Sequence, residues 1–216
     1  MKNLDEMLEF FVRPDNLPDV LQIVQYAEQI RERVENDFWE DFEKRLREQK
    51  PSSLPIKATW RQNHYFDWKK RSIYSLPSWY YPGLDCFVQP ISENAQGIKY
   101  RIEISWENIG YGFMWIRTEE PNFETLCQTN KAIGKIQEFL KSERQGDIDS
   151  KPNPSWLWYE NWKRNPFKDV AETWTWYAQK REDSWYSEKA QEFWGFVGQT
   201  YEMVIQANEE LRQFKG

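Results

Sequence analysis

The sequence predicts an α+β fold: a mainly antiparallel sheet of about four to five strands, long amphipathic helices at the N- and C-terminal ends, and one helix packed on the sheet. Three observations carry this. Apolar residues recur at helical spacing over 19–49 and again over 184–214. The period changes to two between 80 and 117, and the connections inside that middle segment are short enough for a meander. A chain of 216 residues suits a single domain, 1–216, with a helical N-terminal part (1–50), a sheet carrying one helix (54–160) and a helical C-terminal part (166–216).

In chain order, residues 1–13 form a short amphipathic helix (Leu4, Met7, Leu8, Phe11) that ends at Arg13-Pro14, because the residue before proline is pushed out of the helical region. A longer helix over 19–49 carries one apolar stripe: Val20, Ile23, Val24, Ala27, Ile30, Val34, Phe38, Phe42 and Leu46. Lys50-Pro51-Ser52-Ser53 stops it. Ile56–Trp60 and Ser72–Leu76 read as strands flanking a basic aromatic stretch. Leu84, Cys86 and Val88 then alternate with Asp85, Phe87 and Gln89. In the next strand Tyr100, Ile102, Ile104 and Trp106 alternate with Lys99, Arg101, Glu103 and Ser105. Tyr111–Arg117 is apolar on both faces, as an interior strand requires. A helix follows to about 142, with Asn122 as N-cap and Phe123, Leu126, Cys127, Asn130, Ile133, Ile136 and Leu140 along its stripe. Residues 143–155 read as an exposed loop and Trp156–Tyr159 as one more strand. Helices near 167–179 and over 184–214 finish the chain.

The composition is aromatic, with 13 Trp, 13 Phe and 11 Tyr against 39% apolar residues in all. Rings bury much area each, so fewer apolar residues stabilise a core of this size. Trp156, Trp158, Tyr159, Trp162, Trp174 and Trp176 read as a satellite core joining the C-terminal helices to the sheet. Mean hydropathy of −0.91, the absence of a long apolar run and the acidic N-terminus predict a soluble, cytoplasmic protein with no membrane partner. Cys86 and Cys127 fall in apolar patterns and read as buried thiols. His64 is the one histidine, which excludes a multi-histidine metal site.

Charge is unevenly spread. Residues 1–50 carry 13 acidic and 8 basic side chains. The stretch 60–71 instead gathers Arg61, Lys69, Lys70 and Arg71 among aromatic residues that include Trp60. Cations there neutralise phosphates while rings stack on bases, so these five residues are the candidate nucleic-acid-binding set. The competing reading is a connecting segment with solvated charges.

The candidate catalytic residues are Asp85, Glu103, Lys99 and Arg101. Asp85 and Glu103 lie on the polar side of neighbouring strands, where two carboxylates are candidate metal ligands for Mg²⁺, a cation that takes oxygen donors and keeps several waters. Bound metal would polarise a phosphate and lower the pKa of an attacking water. The alternative for Glu103 is a cross-strand ion pair with Arg or Lys.

The order helix, then Pro82-Gly83-Leu84-Asp85, then Ile102-Glu103-Ile104-Ser105, then helix resembles the PD-(D/E)xK nuclease superfamily over about residues 35–140. The run Phe38-Trp39-Glu40-Asp41-Phe42 is similar to that of bacterial members. The resemblance implies a nuclease-like domain that binds nucleic acid, a metal-dependent nuclease if active. The family places Lys two residues after the Glu, where this chain has Ser105, so the centre is expected to be degenerate or inactive. Lys99 and Arg101 share the face of Glu103 and are nearer substitutes than Lys131 or Lys135, which fall off the apolar stripe of their helix. The second open reading is a non-catalytic interaction protein (an immunity, regulatory or assembly factor) that binds a protein partner through an aromatic surface. The helices 19–49 and 184–214 are able to pair within the chain or across a homodimer.

Overall fold

The computed structural model describes residues 4–54, 59–63, 83–87, 97–104, 109–115, 130–143, 156–162, 170–180 and 184–213. The described elements run α1 (Leu4–Phe11), α2 (Leu17–Glu48), β1 (Thr59–Asn63), β2 (Gly83–Phe87), β3 (Ile98–Ile104), β4 (Ile109–Trp115), α3 (Lys131–Glu143), β5 (Trp156–Asn161), α4 (Val170–Lys180) and α5 (Trp185–Gln213). The strands form one five-stranded sheet in the order β1-β2-β3-β4-β5. Every neighbouring pair is antiparallel. This is the α+β arrangement that the change of period predicts.

Element ends differ from the sequence reading for local reasons. The described part of the first strand is Thr59–Asn63, which runs past the expected end at Trp60 because all its residues find partners along β2, from Thr59↔Phe87 to Asn63↔Gly83. In α2, Pro18 occupies the first turn, where a missing N–H leaves no bond unmade. Asn16 does not cap α2 through its side chain; its Nδ2 turns back and donates to the Phe10 carbonyl at 2.8 Å. The described part of α3 follows Asn130, whose Oδ1 accepts the Ile133 N–H at 2.9 Å, the bond that satisfies an orphan donor of a first helical turn. The expected strand at Ser72–Leu76, the cap at Asn122, and Cys127 and His64 lie outside the described residues.

The strand alternation sorts two faces. Leu84, Cys86, Ile98, Tyr100, Ile102, Ile109, Tyr111 and Phe113 are buried in one continuous core with residues of α2, α3 and α5. Helix α5 lies along β3 and is fastened there by side chains. Asn208 accepts the Ile98 N–H through Oδ1 at 2.7 Å and donates from Nδ2 to the Ile98 carbonyl at 3.0 Å. Tyr100 Oη and Thr200 Oγ1 are 3.0 Å apart. The end of α2 is tied to the same helix by Trp194 Nε1, which donates to the Leu46 carbonyl at 2.7 Å.

The described rings of the sheet, of the second half of α2 and of the C-terminal helices pack against one another. The Phe38 ring centroid lies 4.4 Å from that of Tyr177 and 5.4 Å from that of Tyr186. Trp158 stacks on Phe196 at 5.1 Å, and Trp162 lies 4.8 Å from Tyr111. The described members of the C-terminal tryptophan group thus join sheet to helices, as the satellite-core reading predicts.

Helix α2 has two unlike halves. Phe38, Trp39, Phe42 and Leu46 are fully buried, covered from α4, α5 and the sheet. Towards the N-terminus the same apolar stripe continues, but Leu21, Ile23, Val24 and Ile30 are 59%, 62%, 66% and 53% exposed. Met7, Leu8, Phe10, Phe11 and Val12 of the preceding segment are exposed as well. No helix among the described residues is long and apolar enough to cross a membrane.

Candidate functional site

Register decides what Asp85 and Glu103 can do. On antiparallel β2 and β3, Arg101 stands directly opposite Asp85, while Gly83 stands opposite Glu103. The two carboxylates are therefore diagonal neighbours. Arg101 sits two residues before Glu103 on its own strand, so all three side chains emerge on the face opposite the apolar core. Lys99, two residues further back, joins the same row. The structure thus brings together all four residues that the sequence nominates as catalytic.

Their contacts join them into one ionic set. Arg101 Nη1 donates to Asp85 Oδ1 at 2.7 Å, and Arg101 Nε donates to Glu103 Oε2 at 2.7 Å. Lys99 Nζ donates to Asp85 Oδ2 at 2.8 Å. Asp85, Arg101 and Glu103 are buried, at 1%, 4% and 4% exposure. Two acids and two bases cancel formally, and the planar guanidinium reaches both carboxylates with separate N–H groups, a geometry that an ammonium lacks. Asp85 also stands opposite the backbone of Arg61 on β1, and Trp60 is the register partner of Cys86.

The environment shifts both Glu103 and Arg101 upward, disfavouring the first charge and favouring the second. Burial pushes the Glu103 carboxyl above the ordinary glutamate value; Arg101 counters this, and the nearby Asp85 charge adds to it. Burial opposes the Arg101 charge, but Asp85 and Glu103 together outweigh it and hold the guanidinium more firmly protonated than usual. Glu103 Oε1 is the one carboxylate oxygen of the set that accepts no hydrogen bond from a described residue. The register partner of Glu103 on β4 is Gly110. A Cβ at Gly110 would sit 2.8 Å from the tip of the Tyr159 ring and collide with the Glu160 backbone oxygen. Glycine there lets the tyrosine lie against the sheet.

As a cation site the pair is compromised. Each carboxylate already faces a fixed cationic side chain, so a metal would have to displace Arg101 or Lys99 to gain both ligands. Among the described residues no group of three or more His, Cys, Asp or Glu side chains is placed to hold a metal ion. Lys131 and Lys135 are exposed on α3, which leaves them as solvated helix surface. Lys69, Lys70 and Arg71 lie outside the described residues. The Cys86 thiol is pushed far up by burial, with the adjacent Asp85 adding to the effect, so it is an inert core group.

Comparison with protein-family models, with curated proteins and with solved structures returns no match.

The feature that periodicity leaves undecided is what meets the first half of α2. Its residues were legible as a stripe, but not as an uncovered one. One signal was present: the stripe is aliphatic from Val20 to Val34 and turns aromatic at Phe38, where the tryptophan- and tyrosine-rich C-terminal helices supply matching rings.

Proposed function

We propose that this protein is a non-catalytic interaction factor whose N-terminal helical arm, α1 and the first half of α2, docks on a protein partner. The observation that carries the reading is the series of exposed apolar side chains between Met7 and Ile30, on an element whose continuation is core. Large contiguous apolar surface on a monomer is characteristic of an interaction site. The described rings of the sheet and C-terminal helices are mostly used inside, and the arm offers aliphatic residues with Phe10, Phe11 and Tyr26 instead. The ionic set on the sheet then acts as a structural clamp between β2 and β3.

A second reading is a nuclease-like domain that binds nucleic acid, and one observation favours it: Asp85, Lys99, Arg101 and Glu103 converge on one face. The closure of both carboxylates on Arg101 weighs against turnover there.

Two experiments separate these. A photocrosslinking residue at position 23, in the producing cell, is expected to yield a discrete protein adduct that Leu21→Ser with Val24→Ser abolishes. DNA and RNA are then incubated with Mg²⁺ or Mn²⁺ and wild type, Asp85→Asn or Glu103→Gln. Metal-dependent cleavage by wild type that both substitutions remove would sink the non-catalytic reading.

A further inference from the structure

We infer that the partner of the arm is a cationic amphipathic helix: an apolar face flanked by Lys or Arg. The inference rests on the reading of the arm as an interaction surface and adds the chemistry of what covers it.

Two features on the arm define the occupant. The first is continuity. Leu17, Val20, Val24, Ala27, Ile30 and Val34 extend the stripe that Phe38, Phe42 and Leu46 bury against α4 and α5. A helix already packs on one end of this stripe, so a further helix fits its geometry over the remaining ~27 Å of residues 17–34. The second is charge. Residues 4–34 contain Asp5, Glu6, Glu9, Asp15, Asp19, Glu28 and Glu32 against Arg13, Arg31 and Arg33, so acidic side chains outnumber basic ones along the arm. An apolar band with acidic flanks attracts a band with basic flanks and repels anionic surfaces.

The same charges argue against the other occupants. Two copies of the arm in parallel would set each acidic position beside itself. Helices that lie on anionic membranes carry Lys and Arg on the polar face, the reverse of this arm. Nucleic acid is excluded on the same ground.

The test uses the full chain and a fluorescent synthetic helix of Leu and Lys, about 18 residues long to match the stripe. Its counterpart has Glu in place of every Lys. The Lys peptide is expected to bind and the Glu peptide to fail. Leu21→Ser with Val24→Ser should weaken binding about tenfold or more, as two apolar contacts are lost. Asp15→Asn with Asp19→Asn should weaken it about fivefold at low salt, and less at high salt. All four positions are exposed, and unchanged circular dichroism checks that the fold is kept.

Equal binding of both peptides through the arm overturns the cationic requirement and leaves the interaction surface standing. Lys-peptide binding that ignores both double substitutions overturns the inference, as does capture of the protein by vesicles of phosphatidylserine through the arm. If neither peptide binds and the protein sediments as a dimer that Leu21→Ser with Val24→Ser dissociates, a second copy is the occupant. If neither binds and the protein is monomeric, the inference and the reading beneath it both fall.

Discussion

Replacing Arg101 by Met tests the clamp most directly. The substitution keeps much of the apolar stem and removes the guanidinium that holds both carboxylates. Asp85 and Glu103 have side chains only 2% and 5% exposed, so neither regains bulk water. Asp85 retains Lys99 at 2.8 Å, whereas Glu103 loses its one hydrogen-bonded cation among the described residues and is relieved by taking up a proton. Protonating an ordinary glutamate at pH 7 costs about 3.4 kcal/mol, and the upward shift of Glu103 reduces that. Removing one member of a buried ionic pair costs about 3–5 kcal/mol, and the partial relief at each carboxylate places Arg101→Met near the lower end, about 3 kcal/mol. With a urea slope near 3 kcal/mol/M, the upper part of the range for small proteins, the midpoint falls by about 1 M. The assay is equilibrium urea unfolding followed by tryptophan fluorescence and by circular dichroism. Adding Glu103→Gln to Arg101→Met should recover part of the loss, because the stranded charge is gone. A loss below about 1 kcal/mol, or no recovery in the double variant, would refute Arg101 as the shared counter-ion of a buried pair.

Further outcomes follow from the same contacts. Because the Glu103 carboxyl is held above its ordinary value of 4.5, the folded state binds its proton more tightly than the unfolded chain does. Its contribution is complete below that value and is lost as pH rises through the folded-state value, so wild type should lose stability relative to Glu103→Gln on going upward from about pH 4.5; an opposite slope in urea midpoints would contradict the shift. Asn208→Ala unpairs both backbone groups of buried Ile98 and should lower stability by about 2–4 kcal/mol in the same assay. A Cβ at Gly134 or Gly195 meets nothing within 4 Å, so Gly→Ala at each helical position should add about 0.5–1 kcal/mol. Gly110→Ala, which drives a methyl into Tyr159 and the Glu160 backbone, should cost about 1–3 kcal/mol by thermal melting.

Periodicity made most of the fold readable, since burial on one face leaves a direct imprint on residue order. The alternation of Leu84 and Cys86 with Asp85, and of Tyr100 and Ile102 with Arg101 and Glu103, names the two faces of the sheet correctly. What alternation cannot supply is register. A shift by two residues along β3 would preserve every face and yet move Glu103 opposite Asp85, giving a paired-carboxylate site in place of an Arg-centred clamp. Register here puts Gly83 across from Glu103, a feature of backbone pairing that no single strand encodes. The uncovered stripe was hidden for a related reason: a 3.6-residue period states that a face is apolar and says nothing about what meets it. Asn130 shows the limit at finer scale. It sat on the predicted stripe of its helix, yet it is the residue whose Oδ1 accepts the Ile133 N–H and whose Nδ2 reaches the Ala207 carbonyl at 3.4 Å.

The arm's own residues argue that it is built for contact rather than for solvated helicity. An isolated helix of its length is marginal in water, and here the buried half of α2 acts as a nucleus from which the remaining turns propagate. A helix meant only to stand in water would then be filled with Ala, Glu and Lys. This one uses Val20, Ile23, Val24, Ile30 and Val34, whose β-branched side chains lose rotamer freedom in a helix and lower its propensity. They lower local stability, while Ile23, Val24 and Ile30 among them offer exposed apolar area. Substituting Ile23, Val24 and Ile30 by Ala should therefore raise helix content, measured by circular dichroism and by slower amide exchange over residues 20–33. The same variant should bind the Leu/Lys peptide more weakly. A stripe that served only to hold α2 in shape would show no such opposition, because a better helix would then be a better arm.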